Sequence, residues 1–232
     1  LQETKVQDHD FPLSDLQALG YPHIIFRGQK SYNGVALLSR MPLIPGPSFH
    51  FGGKDDARHI SCMLPGGGVL HNFYVPAGGD VPDRDLNPKY DYKIKFLHDM
   101  KQWLGKTHGP DQPLVVVGDI NIAPLEHDVW NHKQMLKVVC HTPLETETLK
   151  GVMESLDFFD AARSFVSAEK KLYSWWSYRN MEITAQSRGL RLDHIWLRRP
   201  HQGRLRACWH LEKQRLEQSP SDHVAVLADI DI

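Results

Sequence analysis

Short runs rich in β-branched and other apolar residues recur along the chain and predict β-strands. Several of them alternate apolar with polar residues, which is typical of strands that are buried on one face only. The run LVVVG at residues 114–118 is continuously apolar and predicts a fully buried strand. The predicted strands are residues 34–39, 69–75, 114–118, 193–197, 205–211 and 223–230.

A helix is predicted between these strands over residues 88–104. Its apolar side chains recur at three- and four-residue steps, as they do along one face of a helix. Pro88 suits the first helical turn, and Gly105 suits a stop. The predicted apolar stripe consists of Phe96, Leu97, Met100, Trp103 and Leu104.

A second helix is predicted over residues 142–156, where the start signals are strong. Thr142 is the predicted N-cap, Pro143 takes the first helical position, and Glu145 completes a capping box. Strands interspersed with few and uneven helices favour stacked sheets flanked by helices.

Length and composition limit the possible classes of protein. The 232 residues, 41% of them hydrophobic, suit one large α/β domain over residues 1–232. No run of 18 apolar residues occurs and the first ten residues are polar, so we expect neither a membrane span nor a signal peptide. The three cysteines are far apart and favour reduced, buried thiols in a cytoplasmic protein. With a net charge of −1, any basic face must arise from local clustering.

The strongest chemical signal follows the buried strand, in the sequence VVVGDINIAP. Asp119 and Asn121 are two residues apart at the carboxyl end of this strand, so both are expected to point to the same side. Ligand sites of α/β folds are often found at such strand ends. The alternative is an ordinary turn, since Asp and Asn also favour turns.

Two further segments place carboxylates beside imidazoles or apolar residues. Asp222 and His223 open the last predicted strand, where an imidazole beside a carboxylate suits acid–base or phosphate chemistry. The alternative is a strand cap with a surface histidine. Asp193 lies in an apolar strand and should have a partner, for which a histidine is an obvious candidate. The alternative is an aspartate on an edge strand that faces water.

Three weaker signals complete the set. Glu3, taken alone, is best explained as a solvated charge. Tyr74 ends a predicted strand, where its phenol suits a phosphate contact or packing against the sheet. Residues 173–179, YSWWSYR, contain four aromatic residues and an arginine, which suits stacking on bases or sugars or packing in the core. The sequence contains no GxSxG, HExxH, GxxxxGK[ST] or EF-hand motif.

Taken in order, these segments resemble the exonuclease III family of abasic-site endonucleases, in a bacterial form. The resemblance covers essentially the whole chain. It rests on QETK, QKSYNGVALLSR, NFYVP, GDINIAP, YSWWSYR, RGLRLDHIW and SDH, which begin at residues 2, 29, 72, 118, 173, 188 and 221. It implies a four-layer α/β sandwich of the DNase I-like kind, with two central mixed sheets and helices outside.

The resemblance also implies roles for the catalytic residues. Asp119 matches the residue that activates water or protonates the leaving group, and Asn121 matches the one that orients water and phosphate. Tyr74 matches a phosphate contact. Asp193 matches the residue that orients His223, which itself matches the phosphate-binding imidazole.

The metal and substrate contacts follow from the same resemblance. Glu3 matches the principal metal carboxylate, and the implied metal ligands are Glu3, Asp119, Asn121 and Asp222. The implied substrate contacts are Asn33 and Arg179, together with Trp175, Leu190 and Leu192 as an apolar pocket for a sugar that lacks its base. Candidates for a basic rim are Arg27, Lys30, Arg40, Arg179, Arg188 and Arg191.

The implied activity is hydrolysis of DNA phosphodiesters at abasic sites and from 3′ ends by a monomer, with Mg²⁺ or Mn²⁺ as cofactor and double-stranded DNA as partner. Hard cations with oxygen ligands suit this chemistry. The sequence starts inside the motif LQETK, so we expect the family's first strand, its asparagine and the following helix to be missing. Two alternatives remain open: another phosphoesterase of the same superfamily, and a DNA-binding relative without activity.

Overall fold

We analysed a computed structural model of the chain, which describes residues 1–179 and 187–231. Four α-helices occur in these ranges: α1 (Leu13–Ala18), α2 (Pro88–Thr107), α3 (His132–Met135) and α4 (Pro143–Ser155). The first six strands are β1 (His23–Arg27), β2 (Val35–Ser39), β3 (Ile44–Pro45), β4 (His59–Met63), β5 (Val69–Tyr74) and β6 (Leu114–Asp119). The remaining strands are β7 (Phe158–Asp160), β8 (Trp175–Trp176), β9 (Gly189–Leu190), β10 (Asp193–Arg198), β11 (Leu205–His210) and β12 (Val226–Ile230).

A six-stranded mixed sheet forms the centre of the molecule, in the order β3-β4-β5-β6-β10-β7. Strands β5 and β6 are parallel, because helix α2 connects them as a crossover, and the other neighbours are antiparallel. Helices α2 and α4 cover one face of this sheet with a large apolar core. The sandwich of sheets and helices predicted from the sequence is therefore confirmed.

The opposite face of the central sheet is covered by short antiparallel ladders. Strands β1 and β2 pack near β4 and β5, and β11 and β12 pack near β10. In the described ranges, these ladders are separate pairs where the sequence led us to expect a second continuous sheet. A further ladder, β8–β9, brings the aromatic segment beside the start of β10.

The sequence correctly predicted where helices α2 and α4 start. Asn87 caps α2 with Pro88 in the first turn, and the Thr142–Glu145 capping box of α4 is present. Helix α2 passes the predicted stop at Gly105 and ends at Thr107. A glycine inside a helix costs about 1 kcal/mol, which does not end a helix whose neighbouring Leu104 is fully buried.

The last strand begins later than its alternation predicted, at Val226 and not at His223. The reason is a change of partner, because His223 forms a β-bridge with Trp175, whereas the ladder with β11 begins at Val226. The other five predicted strands match β2, β5, β6, β10 and β11 to within one residue at each end. Six strands were not predicted from the sequence: β1, β3, β4, β7, β8 and β9.

None of the helices in the described ranges has both the length and the apolar character needed to cross a bilayer. The three cysteines, Cys62, Cys140 and Cys208, are buried and free, as their spacing predicted. Burial raises the pKa of the Cys140 and Cys208 thiols to about 12.

Candidate active site

Three adjacent strands of the central sheet bring three of the predicted side chains to one edge. Tyr74 ends β5 and lies opposite Asp119, which ends the parallel strand β6. Asp193 begins the antiparallel strand β10 and lies opposite Asp119 from the other side. The sheet register therefore aligns Tyr74, Asp119 and Asp193 in one row.

Asp119, the last residue of β6, and Asn121 form a hydrogen-bonded pair. The Asn121 backbone N–H donates to Asp119 Oδ1 and its Nδ2 donates to Asp119 Oδ2, each at 2.9 Å. Asn121 also donates to the Val75 carbonyl at 3.0 Å and has a φ of 54°, which asparagine tolerates better than most residues. The two side chains do point together, as the spacing predicted.

Asp193 has the histidine partner that its apolar surroundings required. His223 Nδ1 donates to Asp193 Oδ2 at 2.8 Å, and His223 Nε2 lies 4.0 Å from Asp119 Oδ2. Burial opposes protonation of His223, but the charge and hydrogen bond of Asp193 outweigh it and raise the pKa of His223 to about 9. The imidazole is therefore cationic at neutral pH.

The surroundings of Asp119, unlike those of His223, favour the neutral form of the side chain. Its burial, followed by the nearby charge of Asp193, raises the pKa of the Asp119 carboxyl to about 7. Such a group exchanges a proton easily near neutral pH, which suits an acid or base in catalysis. His223 lowers this pKa in part, but it does not cancel the burial and the second carboxylate.

Glu3 meets the edge of the sheet from the first residues of the chain. The Tyr74 hydroxyl donates to Glu3 Oε1, and the Lys5 ammonium lies 2.8 Å from Glu3 Oε2. Partial burial opposes ionisation of Glu3, but the hydrogen bonds from Lys5 and Tyr74 lower its pKa. Burial, with the adjacent Glu3 charge, raises the pKa of Tyr74, so the phenol keeps its proton.

One open cavity of about 730 Å³ joins these groups. Its lining includes most of the predicted polar residues, namely Glu3, Asp119, Asp193, Asp222 and His223. Tyr74 and Asn121 do not line the cavity, but they hydrogen-bond to Glu3 and Asp119, which do. Residues that are separated by more than 200 positions in the sequence therefore share one cavity.

The residues predicted to contact substrate lie around this cavity but do not line it. Trp175 donates from Nε1 to Asp222 Oδ2 at 3.0 Å and packs against a buried apolar cluster that contains Leu190 and Leu192. Asn33 is buried and donates to Gln29, and Arg179 is exposed. Their contacts with substrate stay predictions.

The predicted basic rim was wrong in one clear case. Arg191 is fully buried and binds Asp128 with two nitrogens, at 2.7 and 2.9 Å, and Asp160 with a third at 2.6 Å. A buried guanidinium needs carboxylate partners, and Arg191 has two of them in the interior, so it cannot belong to a solvent-facing rim. Arg27 is half-buried and paired with Asp55. The other candidates, Lys30, Arg40, Arg179 and Arg188, are exposed.

Two residues beneath the site were missed from the sequence. The Arg58 guanidinium lies 4.6 Å from the centre of the Tyr74 ring and donates to the Tyr74 carbonyl. Lys93 is fully buried, pairs with Glu145, and donates to the carbonyls of Asn121 at 2.7 Å and Ala77 at 3.2 Å. The one indication of this role in the sequence was the position of Lys93 beside the apolar stripe of helix α2.

The donor set suits a hard divalent cation. Carboxylates of Glu3, Asp119 and Asp222 line the cavity together with few cations, and oxygen ligands are what Mg²⁺ prefers. The tightest group of possible ligands is Asp119, Asp193 and His223, within 4.8 Å of one another. A cationic His223 carries a proton on both ring nitrogens and cannot bind a cation, so the carboxylates that line the cavity are the candidate ligands.

Comparisons with known proteins agree with this architecture. Residues 1–223 match the endonuclease/exonuclease/phosphatase family. The chain is 30% identical to exodeoxyribonuclease III of Haemophilus influenzae, over 99% of this chain and 88% of that protein.

Solved structures are similar over the whole chain. An AP endonuclease from Archaeoglobus fulgidus superimposes with a TM-score of 0.89 and 32% identity, covering 100% of this chain and 87% of that one. The 3′ phosphatase NExo from Neisseria, bound to product DNA hairpin, gives a TM-score of 0.86 and 28% identity, with 100% and 88% covered. The sandwich predicted from the sequence is the fold that these proteins share.

Proposed function

Because the chain belongs to the endonuclease/exonuclease/phosphatase family, we propose that it is a DNA repair hydrolase that cleaves phosphodiesters at abasic sites and removes residues from 3′ ends. One observation carries the proposal: the Asp193–His223 pair, the Asp119–Asn121 pair and Glu3 meet at one cavity. Support comes from the relatives, which are named as an exodeoxyribonuclease III and an AP endonuclease, and from the structure of NExo with DNA.

The cationic His223 and the Asn121 carboxamide contact the scissile phosphate in this proposal. Positioned donors such as His223 Nε2–H stabilise the negative charge that develops on phosphate oxygens in the transition state. Both Asn121 Nδ2 protons bond Asp119 and Val75, so its contact with phosphate requires the exchange of one of these bonds. Asp119 accepts the proton of the attacking water or donates one to the leaving oxygen, for which a pKa near 7 is well matched. Asp193 keeps the imidazole oriented.

Glu3, Asp119, Asn121 and Asp222 are the proposed ligands of Mg²⁺, with Mn²⁺ as a substitute. When bound, the cation supplies positive charge opposite the phosphate oxygens. Glu3 is ionised for this role because Lys5 and Tyr74 hydrogen-bond to it. The Tyr74 phenol stays protonated and donates its one proton to Glu3 Oε1, so its proposed contact with phosphate requires that the cation take Glu3 first.

Substrate contacts are proposed for the residues around the cavity. Trp175, Leu190 and Leu192 form the apolar surface for the sugar without a base, which leaves the stack at low cost. Asn33 and Arg179 contact the DNA backbone, and the exposed Lys30, Arg40 and Arg188 extend the basic rim. The free thiols fit a reducing compartment, so we place a monomeric enzyme in the cytoplasm.

The test is a cleavage assay on three substrates: a duplex with one abasic site, a duplex with recessed 3′ ends, and an inositol polyphosphate. We expect Mg²⁺-dependent cleavage of both duplexes that EDTA abolishes. Replacing Asp119→Asn should lower kcat by about 10²- to 10⁴-fold, because the proton-transferring group is lost. The same change at the exposed Asp229 is the matched control and should leave kcat unchanged.

The alternatives predict different results in the same assay. A phosphoesterase for other substrates would cleave the inositol polyphosphate only. A relative that binds DNA without activity would retain the abasic duplex in a gel-shift assay and leave it intact with either metal. Either result would overturn the proposed function.

A further inference from the structure

Ser174 contacts Asp193 of the Asp193–His223 pair, and the proposed function assigns it no role. The Ser174 side chain is fully buried. Its hydroxyl donates to Asp193 Oδ2 at 2.6 Å, and its oxygen accepts the backbone N–H groups of Leu192 and Asp193, each at 3.0 Å. A hydroxyl has one proton and two lone pairs, so all its hydrogen-bonding capacity is used.

The hydroxyl and the imidazole converge on the same carboxylate oxygen. Asp193 Oδ2 accepts from Ser174 on one side and from His223 Nδ1 at 2.8 Å on the other. Because both lone pairs of the Ser174 oxygen are engaged by backbone N–H groups, its proton can point only towards Asp193. The hydroxyl therefore determines how the carboxylate is turned.

The backbone of Ser174 connects the two chain segments that carry the pair. Its N–H donates to the Leu190 carbonyl at 2.8 Å, three residues before Asp193. Its carbonyl accepts from the Val224 N–H at 2.8 Å, one residue after His223. Segments that are about thirty residues apart in sequence are thus held in register through one residue.

We propose that Ser174 is a positioning residue for the reaction: its hydroxyl holds the Asp193 carboxylate so that His223 Nδ1 is bound and His223 Nε2 faces the cavity. The catalytic consequence rests on the proposed function, whereas the positioning of the pair does not. Loss of the hydroxyl leaves Oδ2 with one donor and leaves two buried N–H groups without an acceptor. The carboxylate then rotates more freely, and the imidazole loses its fixed direction.

Replacing Ser174→Ala should lower kcat on the abasic duplex by about 10- to 100-fold, the range expected for a buried hydrogen bond to a charged group. KM should change by less than threefold, because the hydroxyl does not touch DNA. The matched control is Ser177→Ala on the same segment, where the hydroxyl accepts from the Arg179 N–H and does not contact the Asp193–His223 pair. Ser174→Thr retains the hydroxyl and should recover most of kcat. An equal loss in both Ser174 variants would overturn the proposal.

A double-mutant cycle separates positioning from a general structural effect. If Ser174 acts through the pair, Ser174→Ala should lower kcat by less than twofold when His223→Gln is already present. Losses that multiply fully in the double variant would show that Ser174 acts elsewhere and would overturn the proposal.

A measurement without DNA keeps the proposal independent of the proposed function. In proton NMR, the His223 Nδ1–H should give a downfield signal that exchanges slowly with water and that His223→Gln removes. Ser174→Ala should broaden or shift this signal, while Ser177→Ala leaves it unchanged. An unchanged signal in Ser174→Ala would refute the positioning role even in an active enzyme. The expected change in a protein that cleaves no DNA would refute the proposed function alone.

Discussion

One histidine at the cavity and three histidines in an aromatic core lie against the same central sheet, and their pKa values are shifted in opposite directions. At the cavity, His223 bonds a carboxylate, and its pKa rises to about 9. Between β4, β5 and the end of α2, three histidines bond one another in an aromatic core. There burial, together with the charge of Arg27, lowers the pKa of His59 to about 3. Burial also lowers the pKa of His71 and His108.

The three buried histidines form a chain with one consistent direction. Gln112 Oε1 accepts from His108 Nδ1, which leaves His108 Nε2 to accept from His71 Nε2. His71 Nδ1 then accepts from His59 Nε2, and each of the three contacts is 2.9 Å long. Every ring is neutral in this arrangement. Of the six ring nitrogens of these three histidines, His59 Nδ1 is the one without a partner among the described residues.

The difference between the two groups shows that the partner and the solvent decide what a histidine does. A carboxylate at an open edge stabilises an imidazolium, which can donate a hydrogen bond to an anionic ligand. Imidazole partners in an apolar core exclude the proton, so that histidines there serve as polar packing. Polar packing therefore accounts for three of the 14 histidines in the chain.

The largest expected effect comes from interrupting the buried chain. His71→Phe keeps the aromatic volume but leaves His59 and His108 with unpaired ring nitrogens. We expect the free energy of unfolding, measured by urea denaturation at pH 7.5, to fall by about 2–4 kcal/mol. The same change at the exposed His98 of helix α2 should alter it by about 0.5 kcal/mol or less. Nuclease kcat of the folded His71 variant should stay within twofold of the parent, and a tenfold loss would break the contrast between the regions.

Acidification should destabilise the buried chain specifically. The pKa of each of these histidines is lower in the folded than in the unfolded protein, so their stabilising contribution is complete above pH 6.5. It is lost as the pH falls from 6.5 towards 3. Each excluded proton contributes a slope of about 1.4 kcal/mol per pH unit. The slope between pH 6 and 4.5 should therefore be shallower in His71→Phe than in the parent, and equal slopes would contradict the neutral chain.

The smallest expected effect has the opposite sign and comes from the active site. The pKa of His223 is raised on folding, so its contribution is complete below pH 6.5 and is lost as the pH rises through about 9. The difference in unfolding free energy between the parent and His223→Gln, measured in EDTA, should shrink from pH 6 to pH 10. We expect a change of about 1 kcal/mol, because the imidazole is partly exposed to solvent. A difference that grows with pH would contradict a cationic His223.

Much of the fold followed from local patterns. Neighbouring residues encode the strand that ends at Asp119, the helix that crosses from β5 to β6, and the capping box at Thr142. Errors arose where a distant partner decided the outcome. Strand β12 starts late because His223 forms a β-bridge with Trp175. Helix α2 continues through Gly105 because the adjacent turn is buried.

The residues of the candidate site could be predicted from the sequence, but their arrangement in space could be predicted only in part. The spacing of Asp119 and Asn121 and the apolar surroundings of Asp193 indicated a shared direction and a histidine partner, and both are present. Nothing adjacent to Arg191 distinguished a buried ion pair from a basic rim. Its partners Asp128 and Asp160 are 63 and 31 residues away in the sequence.

The sequence by itself determined which side chains end which strands, and therefore which chemistry was available to this protein. The tertiary structure alone decided which charges meet, which of them are buried, and which protons they keep. The physical reason is that hydrophobic periodicity and capping act over a few residues. A pKa instead depends on burial and on charges within a few ångströms, which here come from strands far apart in the chain.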